Sequence, residues 1–210
     1  MGLAKNGNFG GISGKVGNAI SYELNGQQVV RTVGERPKKK PTQKEKVNRD
    51  RFAKLQAWLQ PLLPFLRVGF KNYAPTFQGF VAAKSYNAGR VFSQQTNGES
   101  IIDPSLAFVS HGSLTRPQNM ALLHEGNNIV VTWGQSGHYD GHDVVMVVAY
   151  IPNTGLVLGD TSIAKRYMGR AVVPIEYAKA GDEIHVYLAF VAYDQTAQSN
   201  SQYLGMITVA

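Results

Sequence analysis

The sequence contains no cysteine, which excludes a disulfide-bonded scaffold, a thiol nucleophile and a Cys-ligated metal. It also has no apolar run that approaches the ~18–20 residues needed to span a bilayer. Residues 1–10 have no apolar core of signal-peptide length. We therefore expect no membrane insertion, no classical signal peptide, and a cytoplasmic or particle-associated protein.

Carboxylates are scarce in the first 71 residues, where four of them stand against fourteen Lys and Arg, a net charge of +10. Residues 72–210 carry seven basic and ten acidic residues, a net charge of −3. This asymmetry predicts a polyanionic or acidic partner for the front of the chain. The 43% content of hydrophobic residues is enough for a buried core and excludes a disordered polymer.

The clearest secondary-structure pattern is a β-hairpin that follows a glycine-rich stretch. Residues 19–24 and 27–32 flank Asn25-Gly26, which supplies the positive φ angles of a type I′ turn. A two-stranded ribbon is marginal in water, so we expect it to pack on something. We predict an assembly hairpin whose contact residues are Ile20, Tyr22, Leu24, Asn25, Gly26, Val29 and Arg31.

A cationic linker and a basic helix come next. Two prolines keep residues 34–41 extended. Thr42 and Glu45 fit a capping box that opens a helix, and Pro61 separates it from a second helix near residues 62–70. Residues 71–104 read as helix or irregular structure. The candidate residues for a polyanion or an acidic partner are Arg36, Lys38, Lys39, Lys40, Lys44, Lys46, Arg49, Arg51 and Lys54.

Short β-like runs separated by turn signals begin near residue 105. Seven of them in roughly 105 residues are typical of an immunoglobulin- or fibronectin III-like sandwich. The predicted fold is α+β, with a basic arm, hairpin and helical region in residues 1–104 and a β-sandwich in residues 105–210. The predicted strands are residues 106–110, 128–133, 143–151, 156–158, 171–175, 183–193 and 203–209.

No catalytic signature survives inspection. Residues 11–16 suggest a phosphate-binding loop, but Phe9 and Val16 replace the required glycine and Ser or Thr. Residues 134–138 suggest a nucleophile elbow, but His138 occupies the position of the second glycine. We therefore predict a non-enzymatic protein with no catalytic residue, no cofactor and no small-molecule substrate.

One loop has a composition that could hold a divalent cation. His138, Asp140, His142 and Asp143 are close in sequence, and two imidazoles with two carboxylates are suitable ligands. Such a site also needs ordered geometry and supporting hydrogen bonds. Ordinary polar loop residues explain the pattern more simply, so we predict no metal and leave the alternative open.

The basic segment admits two kinds of partner. Cations at this density can neutralise several phosphates, but the region has no sequence-reading motif. The same cations can dock on the acidic part of a neighbouring copy. Our leading hypothesis is a structural protein that forms a homo-oligomer or larger assembly, or docks on partner proteins. The alternative is sequence-tolerant binding of DNA or RNA; a weaker third reading, an adhesin module, needs an export route.

The chain contains a set of short motifs at residues 14–17, 29–31, 40–42, 51–52, 69–70 and 203–205. Together they resemble an uncharacterised family of Bacteroidota proteins of about this length, catalogued as a domain of unknown function. The resemblance covers nearly the whole chain and implies a bacterial or mobile-element source, with no catalytic residues. The basic Pro-Thr segment that opens a helix also resembles short phage and prophage proteins, which favours a particle component.

Overall fold

The computed structural model describes residues 3–4, 12–24, 26–34, 40–73, 79–94, 99–135 and 139–209. The fold mixes helices and strands, and sheet predominates. The chain divides into two compact units, the N-terminal unit (Met1–Glu45) and the body (Lys46–Ala210). The boundary expected after residue 104 falls inside the body, because the preceding helices share a hydrophobic cluster with the strands that follow.

The N-terminal unit is an antiparallel sheet in the order β1-β2-β3-β4. The last two strands reproduce the predicted hairpin residue for residue, and Gly26 in its turn has a φ of +77°. Asn25 lies outside the described residues. The strands are β1 (Leu3–Ala4), β2 (Ile12–Val16), β3 (Ala19–Leu24) and β4 (Gln27–Thr32).

The predicted capping box opens the first helix, α1 (Gln43–Leu59). The amide N–H of Glu45 donates to Thr42 Oγ1 at 3.3 Å, and the amide N–H of Thr42 donates to Glu45 Oε2 at 2.6 Å. These bonds satisfy donors that the first turn leaves without helical partners. After Pro61 the chain enters a second helix, α2 (Leu63–Gly69), as the sequence predicted.

The body contains two larger sheets, in the orders β10-β9-β12-β13 and β11-β8-β7, and a small β5-β6 pair. All paired neighbours in these sheets run antiparallel. The remaining elements are α3 (Phe80–Asn87), β5 (Phe92–Gln94), β6 (Ser100–Ile102), β7 (Gln118–Glu125), β8 (Asn128–Gly134), β9 (Val144–Ile151), β10 (Leu156–Lys165), β11 (Arg170–Pro174), β12 (Glu183–Val191) and β13 (Gln202–Thr208).

One hydrophobic cluster joins the two larger sheets. From β9 it contains Val145, Val147 and Ala149, and from β8 it contains Val131 and Trp133. Alternate residues of a strand point to opposite faces, so these side chains form the face that the first sheet turns toward the second. The two sheets therefore share an apolar interior.

The opposite face of β9 and β12 is covered by the helices. Met146, Val148 and Tyr150 from β9 belong to a second cluster, together with residues of α1 and α2. The rings of Trp58 on α1 and Tyr150 meet edge to face, with centroids 5.3 Å apart. Since both faces of β9 are buried, its sequence is almost uninterrupted hydrophobic residues rather than an alternating pattern.

The strands differ from the prediction at several places. Residues 71–104, read as helix or irregular structure, contain β5 and β6 as well as α3, and β10 continues to Lys165 beyond the predicted residues 156–158. Residues 106–110, read as a strand, form the end of a 3-10 turn followed by irregular chain. The buried Asn87 side chain holds this segment: its Oδ1 accepts the Phe108 amide N–H at 2.8 Å, and its Nδ2 donates to the Phe108 carbonyl at 2.9 Å. Strand β7 was not predicted, because most of its residues are exposed and its hydrophobic pattern is weak.

The shared cluster predicts that the helices and sheets of the body unfold together. Leu59 on α1 is fully buried, so Leu59→Ala should lower the free energy of unfolding by about 2–5 kcal/mol. The shift should appear in one cooperative denaturation transition monitored by circular dichroism and by tryptophan fluorescence. Val47→Ala, at an exposed position of the same helix, should change stability by less than about 0.5 kcal/mol. If Leu59→Ala destabilised the helices but left the unfolding transition of the β-sheets unchanged, this interpretation would be contradicted.

Candidate interaction surfaces

The N-terminal unit has apolar side chains, but none of those that the structure describes is buried. Leu24 is 54% exposed and Val30 is 64% exposed. Ile12 and Val16 are also exposed, and among the described residues of the unit Ser21 alone is buried. A small sheet that buries so little surface lacks the main stabilising contribution to folding.

The predicted contact residues of the hairpin share one face of this sheet. In the β3–β4 register Ile20 pairs with Arg31, and Tyr22 pairs with Val29. Leu24 follows two residues after Tyr22 and therefore projects to the same side. Gly26 lies in the turn. The structure thus brings the described members of the predicted set together on one surface, whose contact role stays a prediction.

Strand β4 is an open edge. The amide N–H of Val33 donates to the Asn18 carbonyl at 2.8 Å, which fixes the hydrogen-bond alternation along the hairpin. The backbone groups of Gln28, Val30 and Thr32 therefore point away from β3. No further described strand pairs with this side. The strand contains neither Lys nor Pro, the residues that commonly protect an edge from pairing.

The nine basic residues predicted to bind a polyanion or an acidic partner, here called the basic set, divide into separate groups. Arg36, Lys38 and Lys39 lie outside the described residues. The members that are described and exposed are Lys40, Lys44, Lys46 and Arg49, and no ion pair joins any of them to a carboxylate in the described part of the chain.

Two further members of the basic set make contacts within the body. Lys54 Nζ lies 2.8 Å from Glu99 Oε1 and 3.2 Å from Asp50 Oδ2. The hydrogen bond that Lys54 donates to Glu99, and then the one that it donates to Asp50, raises the pKa of Lys54. Arg51 Nε donates to Ser100 Oγ at 2.8 Å. These two cations join α1 to the segment around β6, which sequence spacing alone could not reveal.

The polar loop before β9 is organised by hydrogen bonds within the protein. His138 lies outside the described residues. The amide N–H of His142 donates to Asp140 Oδ1 at 2.9 Å, while Asp143 faces an arginine. Within the described ranges, no three or more His, Asp or Glu side chains form a group suited to holding a metal ion.

A buried ion pair lies at this end of the body, and sequence analysis missed it. Arg166 Nη1 and Asp143 Oδ2 are 3.2 Å apart, and both side chains are at most 5% exposed. The guanidinium lies 4.3 Å from the Phe190 ring centroid and 4.5 Å from that of Tyr139. Burial raises the pKa of Asp143, and the hydrogen bond from Arg166 opposes that shift. Twenty-three residues separate the partners, so no local pattern connects them.

Trp133 adds a further contact to the ion pair. Its Nε1 donates to the Arg166 carbonyl at 2.7 Å. Arg166, Asp143 and Tyr139 line part of a cavity of about 760 Å³ between the loops that follow β8 and β12. The ion pair therefore joins the loop that precedes β9 to the turn that follows β10 at the wall of this cavity.

We expect the buried pair to be structurally essential. Asp143→Asn should lower the free energy of unfolding by about 3–5 kcal/mol, because it leaves a buried guanidinium without its counter-charge. Glu125→Gln breaks the exposed pair with Arg170 and should cost about 1 kcal/mol or less. Chemical denaturation of both variants measures the difference. Equal small losses would show that the Asp143 contact does not stabilise the body.

A family model described as a family of unknown function (DUF6266) matches residues 11–205 of the chain. This match confirms the part of the sequence-based resemblance that placed the chain in a family without an assigned activity. No curated protein and no solved structure shows significant similarity to the chain. Among the helices that the structure describes, none combines the length and apolar character needed to cross a membrane.

Proposed function

The chain belongs to the DUF6266 family, a family of unknown function, and we propose that it is a non-enzymatic structural protein that self-associates through its N-terminal unit. The observation that carries this proposal is a four-stranded sheet with apolar residues on its surface and no buried apolar residue among those described. Contact with a second copy would remove that surface from water. The partner is therefore part of what stabilises the unit.

Strand addition at β4 is the proposed mode of contact. Antiparallel pairing of two β4 strands about Val30 places Val30 opposite itself and Gln28 opposite Thr32. All three outward-facing residues then gain backbone partners. Arg31 faces Val29 in this register, which avoids placing like charges opposite each other. A two-fold symmetric dimer follows, because the same edge serves both copies.

The body supplies the scaffold in this proposal, as an immunoglobulin-like sandwich of the fibronectin III kind. The first, second and fifth of its seven long strands form one sheet, and the third, fourth, sixth and seventh form the other. That division, with the cluster between the sheets, supports the assignment. We further propose a cytoplasmic or particle-associated protein from a Bacteroidota bacterium or a mobile element, on the basis of the sequence motifs.

Blocking the β4 edge should reduce assembly. The N–H of Val30 points away from β3, so Val30→Pro removes a donor to the second copy without removing a bond within the hairpin. We expect light scattering to show oligomers for the native chain and a monomer for Val30→Pro at the same concentration. Val30→Ala is the matched control, because it shortens the side chain and keeps the N–H.

Two results would reject strand addition at β4. The first is a native chain that stays monomeric across the concentration range. The second is a Val30→Pro chain that keeps the native assembly size. A loss of assembly in Val30→Ala equal to that in Val30→Pro would assign the contact to the side chain and reject backbone pairing. Deletion of residues 1–33 should abolish assembly whether the contact is made by the backbone or by the side chains of the N-terminal unit.

Sequence-tolerant nucleic-acid binding is the second candidate, and the exposed cations around the start of α1 favour it. Lys40, Lys44, Lys46 and Arg49 have no described carboxylate partner. Cations that contact phosphates release condensed counterions, so the affinity would fall steeply as salt is added.

A gel-shift titration at low and at moderate salt distinguishes this candidate from self-association. Binding should be lost when Lys38, Lys39 and Lys40 are replaced together by Glu, and should not depend on nucleotide sequence. Val30→Pro is the control, since it leaves these charges in place. No shift at low salt, in a sample whose absorbance at 260 nm shows no co-purified nucleic acid, would exclude this function.

A further inference from the structure

An apolar groove of about 440 Å³ lies in the body between α1 and α3, with β5 at one end. Phe52 and Leu55 line it from α1 and Phe92 from β5, while Val81 lines it from α3 and Ala88 from the position that follows α3. Leu55 is buried at its base, whereas Phe52 is 56% exposed and Val81 is 49% exposed. The volume lies within the range of about 300–1,000 Å³ that is usual for small-molecule sites.

Two cations flank this apolar surface. Lys84 Nζ lies 4.7 Å from the centroid of the Phe52 ring and donates to Gln56 Oε1 at 3.3 Å. The Arg51 guanidinium lies 5.4 Å from the centroid of the Phe92 ring. Both side chains line the groove, and each is held at its rim by an aromatic contact.

No carboxylate among the described residues forms an ion pair with the two cations of the groove. Lys54 is paired with two carboxylates, but neither Arg51 nor Lys84 lies within ion-pair distance of a carboxylate in the described part of the chain. No acidic residue lines the groove. A negatively charged group on a ligand would meet two positioned donors and no opposing charge.

We propose that this groove binds an anionic amphiphile, a small molecule with a carboxylate head and an unbranched apolar tail. The tail lies against Phe52, Leu55 and Phe92, where it removes apolar surface from water. The head accepts hydrogen bonds from Lys84 and Arg51. Every residue of the site belongs to the body, so the proposal does not depend on assembly through the N-terminal unit.

The test is a calorimetric titration of the full chain with sodium dodecanoate, kept below its micelle concentration. We expect one dodecanoate per chain. Dodecyltrimethylammonium has an unbranched alkyl tail one carbon longer and a head of opposite charge, and acetate has the head without the tail. Each should bind at least about tenfold more weakly, since the tail and the head contribute separately.

Matched variants locate the site. Lys84→Gln should weaken dodecanoate binding about fivefold to tenfold, whereas Lys46→Gln, which removes an equal charge from an exposed position of α1, should change it less than about twofold. Ser85→Phe fills the groove from an exposed position on α3 and should abolish binding. Val81→Glu places a carboxylate at the rim and should also abolish it. Thermal melts confirm that each variant is folded.

Several outcomes would overturn the proposal. Equal affinity for dodecanoate and dodecyltrimethylammonium would show that the cations do not select the ligand. Equal losses of dodecanoate affinity in Lys84→Gln and Lys46→Gln would show that the ligand is attracted by the net charge of the protein rather than bound in the groove. Native affinity in both folded Ser85→Phe and Val81→Glu would place any binding elsewhere, and no binding of dodecanoate to the native chain would reject the site.

Discussion

The fold of the body depends on covering both faces of strand β9. Its eight residues are almost entirely apolar, and a strand of this kind is unstable unless each face is removed from water. The three-stranded sheet covers one face and the helices cover the other. Helices and sheets are therefore parts of one cooperative structure, although the sequence separates them into a helical stretch and a β-rich stretch.

The N-terminal unit differs from the body in how little of its described surface is buried. Its backbone hydrogen bonds form a regular sheet, but the side chains around them stay accessible and no described apolar residue is buried. Hydrogen bonds exchanged between water and protein contribute little net stability, so a sheet depends on the surface that it buries. In the described part of the chain the body has two hydrophobic clusters and the N-terminal unit has none, and this contrast is the physical basis of the proposed contact between copies.

Local signals in the sequence predicted local structure well. The Asn25-Gly26 dipeptide located the hairpin, and Thr42 with Glu45 located the start of α1, because each pattern acts over a few residues. In each case the residues that determine the local structure lie within a few positions of one another in the sequence.

Features formed by distant residues could not be predicted in this way. The pairing of Asp143 with Arg166 and the contacts of Arg51 and Lys54 with the β6 segment depend on tertiary packing. A buried amide such as Asn87 gives no signal in a single sequence, although it supplies the hydrogen bonds that a neighbouring strand would otherwise provide. Of the two cations of the groove, Arg51 was counted within the positive charge of the first 71 residues, whereas Lys84 lies in the part of the chain with a net negative charge and was not singled out.

The position of the open edge in the chain has a consequence for biosynthesis. Residues 27–32 leave the ribosome well before β9 and β12 are made, so the hairpin can form while the body is still incomplete. Nascent chains on one messenger RNA hold many such hairpins close together, at a high local concentration. If copies pair through β4 as proposed, pairing begins during translation, and the order in which the two units are made favours contacts between chains on one messenger RNA over contacts between mature molecules that meet by diffusion.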